Sequence, residues 1–267
     1  MKRLRDMTGV GMMDCKKALT EANGDFDKAV ELLRKTGQKV AANRADREAN
    51  EGLIVTAIAD DSKTAAIVEV NCETDFVARN DDFQTYANDI VQIILANRPA
   101  DLDALLALEY QDGRSVADSL IDQTGKIGEK IDIRRFEVVE TDGRVVSYIH
   151  PGSRLGVLVD VSADGPEEAA VDVAMQAAAL NPIATKREDV PEEITTKEFD
   201  IARETAVNEG KPENIVDRIA QGKLDRYFKD NVLLEQPFVK DSSVTVGEMV
   251  KKAGIEVRNF VRFSLGD

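Results

Sequence analysis

Two stretches of this chain repeat one order of elements, and that repetition limits the fold more than any single residue does. Leu53 to Ala59 reads as a strand, Asp60-Asp61-Ser62 as a turn and Ala65 to Val70 as a second strand. Asp82 to Ala96 then carries a helical stripe of Phe83, Tyr86, Ala87, Ile90, Ile93 and Ile94. The same order returns in Arg144 to His150, the turn Pro151-Gly152-Ser153, Leu155 to Val161 and a helix from Glu167 to Leu180. Strand pairs joined by tight turns and followed by a helix bury their apolar faces as small antiparallel sheets covered by helices. The predicted fold class is therefore α+β with a duplicated core. The copies differ at one place. Only Ser162 to Pro166 joins strand to helix in the second, whereas the eleven residues Asn71 to Asp81 do so in the first. Extra length at a strand end, with Phe76 among polar neighbours, is how a rigid scaffold presents a binding tip. The same spacing also allows Phe76 and Val77 to fold back into the core, where large apolar residues usually lie.

Ahead of the core, three short helices are predicted. Leu4 and Met7 mark the first, which Gly9 and Gly11 end. Cys15, Ala18, Leu19 and Ala22 form the stripe of the second, with Asp14 placed to cap it. Phe26, Ala29, Val30 and Leu33 form the stripe of the third, capped by Asp25. Lys35 to Asn50, rich in Ala and charge without an apolar stripe, reads as a linker, in part helical. Beyond the second copy, Pro191 to Asn208 and Glu213 to Leu234 read as two helices reversed at Gly210-Lys211-Pro212. Ile194, Phe199, Ile201 and Val207 on one arm are expected to face Ile215, Ile219, Leu224 and Phe228 on the other. Such a hairpin either packs on its own body or offers a second contact surface. Pro237 to Val239, a helix from Val244 to Gly254 and a strand from Glu256 to Ser264 then return to the second unit. The expected organisation is a head at 1–37, a linker at 38–51, a core N-terminal half at 52–137, a C-terminal half at 138–186 with 236–267, and an inserted hairpin at 187–235.

Composition narrows the chemistry. Among 267 residues there are one His, two Cys and no Trp. Cys15 and Cys72 stand far apart without a CxxC, which argues against a disulfide framework or a structural zinc site and for a reducing, cytoplasmic setting. No phosphate-binding GxxxxGK[ST], dinucleotide-binding GxGxxG or zinc-binding HExxH occurs, so no cofactor or metal is expected. Residues 1–50 hold 11 basic and 8 acidic side chains, a net of +3, which leaves −18 of the total −15 on the rest. An acidic body repels phosphates, so direct nucleic-acid binding is not expected. No apolar run is long enough for a membrane span.

The head Leu4-Arg5-Asp6-Met7-Thr8-Gly9-Val10-Gly11-Met12-Met13-Asp14-Cys15-Lys16-Lys17-Ala18-Leu19 closely resembles the start of the bacterial elongation factor Ts family, and Asn71 to Asp81 contains that family's Thr-Asp-Phe-Val element. Further matches are Lys126-Ile127-Gly128-Glu129, His150-Pro151-Gly152-Ser153-Arg154-Leu155-Gly156-Val157, Ala177-Ala178 with Asn181-Pro182, and Gln236-Pro237-Phe238-Val239-Lys240-Asp241, so the resemblance spans nearly the whole chain. Pro151, Ser153 and Gln176 depart from it; Gln176 stands where the family commonly has His.

The resemblance implies a guanine-nucleotide exchange factor for the translational GTPase elongation factor Tu. It also implies a ubiquitin-associated-like three-helix head, a two-part α+β core and a helical hairpin. In the family, the element matching Thr74, Asp75, Phe76 and Val77 enters the GTPase beside its Mg²⁺ site. The other partner-binding residues carried over are Met12, Met13 and Lys16 on the head, with Ile127, Gly128, Glu129, His150, Gly152 and Arg154 on the core. A second copy of the chain, meeting it through the core or hairpin, is a further partner to consider. His150 has a plainer reading as a strand-end residue satisfying its turn. Two other classes compete: a peptide-binding adaptor without exchange activity, using Met12, Met13 and the third helix, and an enzyme using Asp75, Glu73 and His150.

Overall fold

Residues 1–267 are described by a computed structural model. The head comprises α1 (Lys2–Thr8), α2 (Met12–Glu21) and α3 (Phe26–Arg44), closed around Leu4, Cys15, Ala18, Ala22, Ala29 and Leu33. Asp25 caps α3 by accepting the Lys28 N–H at 3.1 Å. Asp14 does not cap α2. That helix begins two residues earlier at Met12 with Gly11 as its N-cap, and Asp14 lies in its first turn, where a carboxylate still favours the positive helix end. The third helix continues to Arg44, through the first part of the stretch expected as a linker.

Two hairpins with long-range third strands make the core. β1 (Glu51–Ile58) and β2 (Thr64–Cys72) pair antiparallel and are followed by α4 (Asp75–Ala78) and α5 (Asp81–Asn97). Between Asn97 and Arg144, where the sequence pattern assigned no element, lie α6 (Leu102–Ala107), a hairpin of β3 (Glu109–Gln111) and β4 (Arg114–Ser115), α7 (Val116–Ile127) and β5 (Asp132–Glu140). β5 pairs antiparallel with β2, giving the order β1-β2-β5. The second half runs β6 (Arg144–Ile149), β7 (Leu155–Val161), α8 (Glu167–Leu180), α9 (Glu192–Asn208), α10 (Glu213–Asn231), the hairpin β8 (Pro237–Phe238) and β9 (Asp241–Thr245), α11 (Val246–Ala253) and β10 (Val257–Ser264). Its sheet order is β10-β7-β6, so β7 is central as β2 is in the first.

The duplicated unit is thus longer than strand, turn, strand and helix; in both halves a short hairpin, a helix and a third strand follow. Local sequence carries the trace. Ser115 and Thr245 cap α7 and α11 by accepting the N–H three residues on, at 3.1 Å each. Ile131-Asp132-Ile133-Arg134-Arg135-Phe136 parallels Ile255-Glu256-Val257-Arg258-Asn259-Phe260 at the start of the third strands. The hairpins themselves are too short to show a period.

Four layers result. Ala66, Val68, Val70 and Cys72 of β2 pack against Phe83, Tyr86, Ala87, Ile90, Val91 and Ile94 of α5. The opposite face of the same sheet, with Ile54, Ala65 and Ile67, meets Val145, Leu158, Val261 and Phe263 of the second sheet. Val157, Val159 and Val161 then turn to α8 and α11. Because β2 is covered on both faces, all nine of its residues are buried, including the polar Thr64, Glu69 and Asn71. Glu69 lies fully buried between the sheets, paired with Arg135 at 2.8 Å and accepting from Asn71 Nδ2 at 2.9 Å.

The hairpin insertion pairs α9 with α10; Ile194 and Phe199 pack with Leu224 and Phe228 as expected, but the rest of the seam uses smaller residues on α9. Ala202 and Ala206 are buried against a stripe of Val216, Ala220, Leu224 and Phe228, whereas Ile201 and Val207 are exposed. Alanines let two helices approach closely, and the bulkier neighbours rotate outward. Arg203–Asp217 at 3.0 Å and Lys223–Glu209 at 3.3 Å link the arms. α10 ends at Asn231 rather than Leu234, because Val232 and Leu233 are buried at the base of the hairpin in a 3₁₀ turn (Leu233–Glu235).

Candidate functional site

The extra residues between β2 and α5 form a braced tip. Thr74 is the N-cap of α4, its Oγ1 accepting the Val77 N–H at 3.4 Å. Its own hydroxyl donates to Glu129 Oε1 at 2.8 Å, and its N–H donates to Glu129 Oε2 at 3.0 Å. One residue earlier, Glu73 accepts both contacts of Arg44 Nη1, at 2.7 and 2.8 Å, and the Lys130 N–H at 2.7 Å. Asn80 closes the segment by accepting the Asp82 N–H at 2.8 Å.

This bracing settles which way the apolar residues turn. Phe76 is 79% exposed, Val77 packs on the first core and Ala78 is buried. Asp75 faces outward and pairs with Arg79 at 2.8 Å, one helical turn on. Of the two readings that the spacing allowed, Phe76 follows the tip and Val77 the core. A four-residue helix anchored at its cap has one inward face, and Val77 and Ala78 occupy it.

The charges at the base are held in fixed states. Burial opposes ionisation of Glu73, but the Lys130 N–H and the Arg44 guanidinium together outweigh it and hold the carboxyl below its ordinary range. Burial, reinforced by the nearby charge of Glu129, pushes the Cys72 thiol up to about 12. Cys72 therefore stays a neutral thiol that donates to the Thr74 carbonyl at 3.1 Å.

A second turn meets the same end of the core. Glu51 opens β1 in register with Cys72, the last residue of β2, and forms an ion pair with Arg154 in the turn between β6 and β7. The Ile54 N–H donates to the Ser153 carbonyl at 2.7 Å. Within that turn Gly152 adopts φ 90°, a region that disfavours side chains, while His150 is exposed with Nδ1 2.9 Å from the Tyr148 hydroxyl. The His150 carbonyl accepts the Ser153 N–H at 2.9 Å, a main-chain bond that closes the turn.

The head is attached nearby. α3 crosses α7 where Gly37 meets Gly125, the Lys126 side chain covers Gly9, and Lys126 Nζ reaches Asp82 at 2.8 Å. Met7, Met12 and Met13 are exposed on the head, Met13 by 74%, as is Lys16. Of the three residues at the end of α7, only Glu129 touches the tip. Ile127 packs on the first core, and Gly128, at φ 81°, ends the helix in a left-handed turn that aims the chain back toward Thr74.

Asp75, Glu73 and His150 do not converge. Each has its own partner, Arg79, Arg44 and Tyr148, and surface grooves lie elsewhere, along α9, beside β5 and beside β10. No group of three or more His, Cys, Asp and Glu side chains is placed to hold a metal ion, and no helix is long and apolar enough to cross a membrane. Gln176 is fully buried and holds the segment 236–239, its Nε2 donating to Gln236 Oε1 and the Pro237 carbonyl at 3.1 Å and its Oε1 accepting the Val239 N–H at 2.8 Å. Sequence reasoning missed Arg44, Glu51 and Lys130 as supports of this end. Arg44 sits in a stretch without periodicity, and Lys130 acts through its backbone.

A family model described as Elongation factor TS matches residues 73–267. Over the whole chain, the sequence is 49% identical to elongation factor Ts of Chloroherpeton thalassium across 280 residues and 48% to that of Prosthecochloris aestuarii across 279, in each case covering 97% of the relative. The elongation factor Ts of Christiangramia forsetii is 50% identical over 270 residues, again with 100% of this chain and 97% of the relative aligned. On this agreement along its full length, the chain belongs to the elongation factor Ts family.

Proposed function

We propose that this chain is a cytoplasmic guanine-nucleotide exchange factor that binds elongation factor Tu, opens its Mg²⁺ and phosphate site with the Asp75-Phe76 tip, releases GDP and is displaced by GTP. The observation that carries this reading is Phe76, almost fully solvated on a tip whose base is braced on both sides. An aromatic ring held out on a fixed tip offers a partner a large apolar area to bury, and such rings dominate interface energetics. Met12, Met13 and Lys16 on the head, and His150, Gly152 and Arg154 on the second turn, supply further contact points around it.

The physical chemistry is that of a wedge. A GTPase holds GDP through backbone amides around the phosphates and through Mg²⁺, which tolerates little departure from octahedral geometry. Inserting Phe76 parts the elements that position the ion's water shell, and the Asp75 carboxylate competes for groups around it. Burying one Phe supplies about 1.5–3 kcal/mol. At about 1.4 kcal/mol per tenfold in rate, the tip accounts for roughly one to two decades of faster release. The remainder comes from head and core contacts that favour the nucleotide-poor conformation of the GTPase. No bond in the factor is made or broken.

The test is release of labelled GDP from elongation factor Tu with parent factor and with Phe76→Ala. The variant is expected to keep its fold, because the ring packs on little in the free chain, and to slow release by roughly tenfold or more. Equal rates for the two proteins would refute the wedge.

A further inference from the structure

α4 is four residues long, too short to hold itself, since a helix becomes self-supporting only at about 12–15 residues. The ring it presents has little packing of its own. What orients Phe76 is therefore whatever fixes the first turn, and two carboxylate contacts do so: Glu129 on Thr74, and the neighbouring Glu73 on Arg44 and Lys130.

Glu129 is the closer of the two. Gly128 turns the chain out of α7 and brings Glu129, 55 positions away in sequence, onto Thr74 with both oxygens engaged. The Thr74 hydroxyl has a single proton. Its oxygen already accepts the Val77 N–H, so the proton goes to Glu129 Oε1 while the Thr74 N–H takes Oε2. A chain of hydrogen bonds ending on a carboxylate is strengthened at each link, so the clasp stiffens the cap it sits on. The Arg44–Glu73–Lys130 contacts fix the preceding residue but leave the Thr74 side chain free.

We propose that Glu129 is a positioning residue for nucleotide exchange, holding Thr74 so that Phe76 is presented in its insertion-competent direction; this rests on the exchange-tip reading above. Without the clasp, the tip samples conformers of which only a fraction is competent, and the rate falls by that fraction.

The test measures stimulated GDP release from elongation factor Tu across a range of factor concentrations for parent, Glu129→Ala, Phe76→Ala and the double variant. Glu129→Ala is expected to lower the saturating rate about tenfold, to leave the half-saturating concentration within about twofold, and to speed amide exchange at residues 74–80. In the Phe76→Ala background it is expected to slow release no further, because the ring it orients is gone. Thr74→Ser, which keeps the hydroxyl, is expected to slow release less than Thr74→Val, and Thr74→Val to match Glu129→Ala. The Thr74 pair carries the test if Glu129→Ala does not fold. Parent-like rates in Glu129→Ala, or equal slowing with and without Phe76, would overturn the assignment while leaving the tip reading intact. A parent-like rate for Phe76→Ala would overturn both.

Discussion

Two glycines at one helix crossing are predicted to respond oppositely to the same substitution. α3 and α7 meet at Gly37 and Gly125, and the backbones are asymmetrically placed. A Cβ added to Gly125 would lie 2.5 Å from Gly37 Cα, whereas one added to Gly37 would lie 3.6 Å from Gly125 Cα, an ordinary contact. Gly222, inside α10, has open space around it. Alanine gains about 0.8–1 kcal/mol over glycine in a helix interior. That term stands alone at Gly222 and Gly37, so both variants should be stabilised by roughly that amount. At Gly125 the helices must part by about 1 Å to restore a carbon–carbon separation near 3.5 Å. Both clashing groups are backbone, so no side chain can rotate aside, and the overpacking cost falls in the upper part of the usual 1–3 kcal/mol. The net expectation for Gly125→Ala is a loss of about 1–2 kcal/mol, which separates it from Gly37→Ala by roughly 2–3 kcal/mol. Urea unfolding followed by far-UV circular dichroism measures the differences, and amide exchange in α3 reports whether the head loosens with them. Equal stability of the Gly37 and Gly125 variants would refute this account of how the head is docked.

Other consequences follow from buried polar groups. Gln176→Ala leaves the Val239 N–H and the Pro237 carbonyl without their buried partner, an expected loss of about 2–4 kcal/mol by denaturant titration, with the segment 236–239 exchanging faster. Both cysteines are buried and unpaired, and the Cys72 thiol is pushed up to about 12. An aromatic disulfide reagent at neutral pH should therefore find almost no reactive thiol in the native protein, and both thiols after unfolding. Arg44→Ala should destabilise at neutral pH. Because the Glu73 carboxyl lies lower in the folded chain than its ordinary 4.5, the clasp contributes fully above that value and is lost as pH falls through the lower folded value. The stability gap between parent and variant should accordingly shrink below pH 4.5; a gap that persisted into stronger acid would contradict the assigned charge state.

Local pattern made much of the fold legible. The two hairpins, α5 and α8 stood at or within a residue or two of their observed bounds because alternation and the helical period are properties of contiguous residues. The stretch 97–143 was illegible for the converse reason. Its hairpin strands have three and two residues, and β5 mixes half-buried with exposed positions because it is an edge strand. The hairpin insertion is two helices, as the pattern predicts, with Ile194, Phe199, Leu224 and Phe228 on the inner faces as expected, but a hydropathy stripe favours Ile201 and Val207 over the alanines that let the arms close. At the site, extra length and a lone Phe marked the tip.

The sequence by itself determined that the chain is an α+β protein with a duplicated core, a separate helical head and an unusual loop after its second strand, because each of these is written in neighbouring residues. The tertiary structure alone decided that the third strands return to pair with β2 and β7, that the two sheets pack face to face, and that the head rests on α7 through a glycine contact. It also decided that Phe76 points outward, because the residues that impose this, Arg44, Glu129 and Lys130, lie 29 to 57 positions from the residues they hold. Contacts at that separation leave no local period, and only the folded chain brings their charges together.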